Sequence, residues 1–240
     1  MAGVPVVSEV WHRIVSPQPA PSAAVVVASA VVAMLLVGVP GLWRRSRHLV
    51  TIAHEAAHGL VAAASGRRLS GIRLHADTSG LTLSRGRASG PGMFFTTVAG
   101  YVGPALFGLG AAYLLRVGHS VGLLWALLVL LVLVLILIRN WFGLWLVGAA
   151  SVVVFAVSWW GSVLLQSCCA YGGAWFLLLG APRPVVELQS ARRRGLAPNS
   201  DADTLARLSG VPGLVWVVVF LVVTVGALAL GGHWLLTTTD

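Results

Sequence analysis

Seven apolar runs limit what this chain can become. Residues 23–42, 49–65, 92–115, 121–138, 141–157, 161–181 and 211–236 carry almost no charge. A helix needs about 20 apolar residues to cross the roughly 30 Å of hydrocarbon in a bilayer, and most of these runs are near that length or above it. Hydrophobic residues make up 58% of the 240 and charged residues only 10%, which excludes a soluble domain. The expected fold is an all-α polytopic membrane protein. The runs at 121–138 and 141–157 almost touch at Arg139-Asn140 and could form a hairpin that does not fully cross, so six or seven transmembrane helices are expected.

The net charge of +9 comes from sixteen arginines and no lysine. They sit in the gaps between apolar runs, where basic residues anchor topology against headgroups. The partner they imply is the lipid bilayer, not a nucleic acid. With seven crossings and the N-terminus inside, twelve of the sixteen fall on the cytoplasmic side and Arg44, Arg45, Arg47 and Arg116 outside, the first three in a loop between two runs. The chain is therefore expected to be integral to the cell membrane, N-terminus cytoplasmic and C-terminus outside. Residues 1–22 form a Pro-rich tail, and 23–240 read as a single membrane-embedded domain. Cys168 and Cys169 are adjacent within an apolar run and suit neither a disulfide nor a zinc-site spacing.

Two polar segments interrupt the runs. Between 69 and 87, apolar residues alternate on both sides of "ADTSG", which predicts a small β-hairpin after the second helix. The cytoplasmic loop 181–212 ends in a short predicted helix, with Ser200 as N-cap, acids in its first turn, then Gly210 and Pro212.

Against this background "HEAAH", residues 54–58, stands out. A carboxylate at bilayer depth costs about 2.5–3.5 kcal/mol on insertion scales, and Glu55 is the one acid within the runs. His54 and His58 lie four apart, so on a helix both imidazoles project from one face, about 6 Å apart, and can grip one metal ion. Glu55 lies about 100° round the helix, where it can reach a water beside that ion without joining the ligand set. This is the division of labour in a zinc hydrolase. The surrounding Ala53, Ala56, Ala57 and Gly59 let neighbouring helices close over that face.

These residues resemble the site-2 protease family of membrane-embedded zinc metalloproteases, and particularly its bacterial M50B-like branch. The resemblance rests on "HEAAHGL" in an early span, the β-rich "SGIRLHADTSGLTLSRG" after it, and "TTVAGYVGP" at 96–104. It implies one Zn2+ ion, an intramembrane zinc-dependent endopeptidase that takes part in regulated intramembrane proteolysis, and a membrane-protein substrate. The hairpin could hold a substrate strand by edge pairing.

One part of the family pattern is missing. Zinc needs a third protein ligand, which the family usually supplies from an Asn-x-x-Pro…Asp-Gly pattern in a later helix. Here Asn140 is present, but Gly143 and Gly148 stand where the proline and aspartate fall. The candidates for third ligand are then Asp201 and Asp203, with His75 and Asp77 in the hairpin turn as further possibilities. Asp203 suits a capping box with Ser200, which leaves Asp201 freer. Asn140, by the resemblance, would polarise the scissile carbonyl; a helix cap is the other reading. Two further functions stay open at this point: a catalytically degenerate scaffold that binds membrane partners without cleaving them, and a small permease. The permease is disfavoured by the lack of other ionisable residues in the runs.

Overall fold

The computed structural model describes residues 3–237. In chain order its helices are α1 (Gly3–Val15), α2 (Ala23–Gly38) and α3 (Pro40–Ala64), followed by strands β1 (Arg68–Leu74) and β2 (Gly80–Arg85). Then come α4 (Pro91–Arg116), α5 (Ser120–Leu137), α6 (Trp141–Trp160), α7 (Val163–Gly180), α8 (Pro182–Arg193), α9 (Asp201–Ser209) and α10 (Gly213–Leu236). Five segments are each long and apolar enough to cross a membrane: α4, α5, α6, α10 and the stretch Val163–Arg193 that runs through α7 and α8. α2 and α3, bent by 102° at their break, make a sixth when the pair is counted as one span. The count is five or six, so the upper expectation of seven is not met.

The bend follows from local chemistry. Val39 precedes a proline and takes an extended conformation, φ −79° and ψ 120°, as residues before proline prefer to. Pro40 then opens α3, where its missing N–H costs nothing. The elbow is pinned from α8. The Arg183 guanidinium donates to the Val37 carbonyl, and its centre lies 4.8 Å from the Trp43 ring centroid. Glu187 accepts from Trp43 Nε1 at 2.8 Å and pairs with Arg47 at 3.3 Å. Arg44, Arg45 and Arg47, expected in an outside loop, therefore lie within α3.

This elbow moves the chain ends. Gln18 N–H donates to the Gly118 carbonyl just after α4, and Arg116 at the end of α4 stacks on Trp234 near the end of α10. The first residues of the bundle and its last turn thus share one end. The expectation that the two termini lie on opposite sides is corrected, because it counted residues 23–42 and 49–65 as two crossings where the chain has one bent pair.

Lipid tails are as apolar as leucine, so helices associate in a bilayer mainly by close packing of small residues. The α3–α4 contact shows this: a Cβ on Gly103 would run into the Ala57 side chain. Leu178 of α7 is fully buried, and a Cβ on Gly231 of α10 would sit 2.8 Å from its Cδ1. α4 continues unbroken through Pro104.

The hairpin is antiparallel, with Ile72 opposite Thr82 and Leu74 opposite Gly80. Ile72 and Leu74 are buried, whereas Leu81 and Leu83 point outward. The inward positions of β2 are thus held by small residues, Gly80 and Thr82. On its other side β1 meets the α5–α6 link: Arg139 N–H donates to the Ile72 carbonyl at 2.9 Å, and Ile72 forms a parallel bridge with Ile138.

Candidate metal centre

The two imidazoles and one acid meet where α3, α4 and α9 converge. His54 Nε2 and His58 Nε2 are 3.0 Å apart. Asp201 Oδ2 lies 3.4 Å from the first and 3.3 Å from the second. His58 Nδ1 sits 2.7 Å from the Thr96 carbonyl. A carbonyl only accepts, so Nδ1 carries the proton and Nε2 of the neutral ring presents a lone pair. Tyr101 packs edge-on against His54, with ring centroids 4.9 Å apart, and stacks on Phe220 of α10 at 5.1 Å. Both imidazoles are thereby fixed in orientation.

Asp201 arrives on a short helix held in place by its neighbours. Ser200 caps α9 and forms a reciprocal capping box with Asp203, and the left-handed Gly210 ends it at φ 74°. Asp203 also pairs with Arg192 at 2.7 Å. Burial works against its charge, but the Ser200 hydroxyl and the Arg192 guanidinium outweigh it and hold the carboxyl below the usual range. Asp203 is therefore committed to α9 itself, and Asp201 at the first helical position is the acid that reaches the imidazoles. Ala202 and Leu205 anchor α9 in a cluster with Val185, Leu188, Val217 and Phe220.

Glu55 faces a different neighbour. Its side chain is buried, and Oε2 accepts a hydrogen bond of 2.6 Å from the Thr82 hydroxyl on β2. A Cβ on Gly80 would lie 2.6 Å from Oε1, so glycine there leaves space beside that oxygen that any side chain would fill. On α4, a Cβ on Gly100 would lie 2.7 Å from His54 Cε1 and closer still to His58 Nε2.

The donor set suits a divalent cation. Ligand atoms about 2.0–2.1 Å from a tetrahedral ion lie about 3.3 Å from one another, close to the spacings of the three atoms here. A metal ion would take both imidazoles in their neutral form, leaving the carboxylates of Glu55 and Asp201 as the charges beside it. Among the described residues neither acid has an arginine partner, and a divalent ion would balance both. His54, His58 and Asp201 form the one such group of potential ligands among the described residues.

The other sequence candidates lie elsewhere. Asp77 accepts from the Ser79 amide at 2.9 Å and from its hydroxyl at 2.6 Å, and that hydroxyl also meets His75 Nδ1 at 3.2 Å. These contacts close the hairpin turn. Asn140 stands at the N-cap position of α6 without capping it. Its amide accepts from Leu74 N–H at 3.2 Å and donates to the Leu74 carbonyl at 2.7 Å. It acts as a substitute strand partner for β1, one amide hydrogen and the amide oxygen both going to Leu74.

A family model for Peptidase M50B-like proteins matches residues 27–231, a span that contains HEAAH, the hairpin and α9. The chain belongs to the Peptidase M50B-like family. No curated protein and no solved structure matches it. Within this M50B-like chain, sequence reasoning missed Thr82, Thr96, Gly80, Gly100 and Tyr101. Three of them lie in "TTVAGYVGP", but only the fold turns that small-residue stretch against the imidazoles.

Proposed function

We propose that this protein is an intramembrane zinc endopeptidase that hydrolyses peptide bonds in or near transmembrane segments of other membrane proteins. The observation that carries this reading is the convergence of His54 Nε2, His58 Nε2 and Asp201 Oδ2 within 3.0–3.4 Å of one another, one residue from a buried glutamate. His54, His58 and Asp201 would hold the ion. Zinc there supplies Lewis acidity toward water and toward a peptide carbonyl.

The chain's own residues do the rest. Glu55 takes the proton of the attacking water on Oε1, since Thr82 occupies Oε2, and returns it to the leaving amine nitrogen. Thr96 fixes the His58 ring with Nε2 toward the ion. Packing of α4 and α10 around Tyr101 and Phe220 restricts water around His54. A substrate helix must unwind before its backbone can enter, and the outward edge of β2 is a surface on which an extended strand can pair.

Metal removal tests this directly. The zinc-loaded protein is reconstituted in liposomes with tagged single-span proteins whose apolar helices are interrupted by glycine or asparagine. Cleavage is expected to stop on chelation and return when zinc is restored. Cleavage that survives complete chelation contradicts the proposal.

We also infer that the site end of the bundle faces the cytoplasm. Arg67, Arg68, Arg85 and Arg87 lie at the hairpin base, and Arg192, Arg193, Arg194 and Arg207 lie around α8 and α9. The opposite end carries Arg13 and Arg116. By the positive-inside rule both termini then lie outside, the reverse of the orientation that seven crossings imply for the N-terminus. In a chain whose two cysteines are replaced by serine, His12→Cys is expected to react with a membrane-impermeant maleimide on intact cells and Arg194→Cys to be shielded. The reverse labelling pattern contradicts this orientation.

A further inference from the structure

We propose that Thr82 is a positioning residue for the peptidase reaction, holding the Glu55 carboxyl group against strand β2. This rests on the endopeptidase reading and adds to it the hairpin strand β2 as a working part of the site.

The geometry is specific. The Thr82 hydroxyl lies 2.6 Å from Glu55 Oε2 and 3.1 Å from the Glu55 backbone carbonyl oxygen. It has one proton and two acceptors within reach. The shorter contact is to Oε2, so the hydroxyl ties that oxygen to β2 and leaves Oε1 on the open side beside Gly80. The longer contact, to the backbone carbonyl of the same residue, keeps the hydroxyl aimed at Glu55.

The strand itself argues for the role. Thr82 faces inward opposite Ile72, on the side of the hairpin where Ile72 and Leu74 are buried. The strand's own leucines, Leu81 and Leu83, face outward. A hydroxyl at the inward position is costly unless it is bonded, and the two acceptors within its reach both belong to Glu55. Gly80, on the same face, lets β2 approach the carboxylate closely. β1 is held from behind by Asn140 and Arg139, so the hydroxyl is presented from a fixed sheet.

The test compares Thr82→Ser with Thr82→Val. A merely structural strand position prefers valine, which keeps shape and β propensity, to serine, which keeps neither. A positioning hydroxyl gives the opposite order. In the liposome assay with tagged glycine- or asparagine-interrupted helices, Thr82→Val is expected to lower kcat about 10–100-fold, the range for losing a hydrogen bond to a charged group. KM and zinc content should be unchanged, and Thr82→Ser should recover most of the rate.

A second readout needs no substrate. The infrared difference between the parent and Glu55→Gln isolates the Glu55 carboxylate stretch, and that band should shift in Thr82→Val and stay in Thr82→Ser. If valine matches the parent in rate, or serine is the worse variant, the positioning role is overturned. If the parent itself cuts nothing, or Glu55→Gln cuts as well as the parent, the endopeptidase reading fails instead.

Discussion

Replacing Glu55 with glutamine is expected to leave one zinc ion per chain and to slow cleavage by about 10²–10⁴-fold, the usual contribution of a positioned general base. Glutamine keeps the length of the side chain and an oxygen that can accept from Thr82, so the packing under β2 is retained. It has no basicity, so the attacking water keeps its proton. Because Glu55 points toward the hairpin while Asp201 closes the imidazole pair, the substitution leaves the three candidate ligand atoms in place. Zinc content and kcat, measured on the same preparation, check the expectation. Loss of zinc with the rate would make Glu55 a ligand, and an unchanged rate would remove it from the chemistry.

The second large effect is expected at Gly100, which carries no functional group of its own. Alanine is favoured over glycine inside a helix by about 1 kcal/mol, so Gly100→Ala should not weaken α4 as a helix. The added methyl would nevertheless overlap the His58 ring and lie 2.7 Å from His54 Cε1. Either α4 moves away or both imidazoles turn off their common point. Zinc affinity should fall about 10–100-fold, as when the supports of metal ligands are removed, while helix content by circular dichroism stays at or above that of the parent. Gly103→Ala provides the comparison. Its methyl would meet Ala57 and neither imidazole, so it should loosen the α3–α4 contact with a smaller loss of zinc. Equal zinc affinity in Gly100→Ala and the parent would contradict the geometry described for the site.

Much of this was legible in the chain because the relevant signals are local. HEAAH needs only the 3.6-residue period to bring two imidazoles to one face. Ser200, Asp203, Gly210 and Pro212 carry the start and stop of α9 in their own chemistry, and assigning Asp203 to the cap leaves Asp201 as the available acid. The hairpin was legible as a hairpin.

What sequence did not show depends on contacts across the fold. Alternation says that Leu81 and Thr82 face opposite ways, but not that Thr82 faces inward; the pairing with Ile72 over Glu55 decides that. The bend at Val39-Pro40 was obscured because apolar residues continue through it to Leu42. Arg44–Arg47 looked like a loop because three arginines seldom open a buried helix. Here the acid that receives Arg47 comes from α8, about 140 residues later. The short α1 lay hidden in a Pro-rich tail, and it packs against the start of α5, where the Ile14 carbonyl meets Gly122. Asn140 matched a family pattern by type, and its engagement with Leu74 is a tertiary fact.

X-ray absorption at the zinc edge, on the parent and on Asp201→Asn and Asp203→Asn, probes the ligand set itself. The parent should show nitrogen and oxygen neighbours at about 2.0–2.1 Å with the scattering pattern of two imidazoles. Asp203→Asn should keep that spectrum and the full zinc content, and Asp201→Asn should lose most of the metal. A sulfur shell at about 2.3 Å, one imidazole in place of two, or full zinc retention in Asp201→Asn would contradict the account.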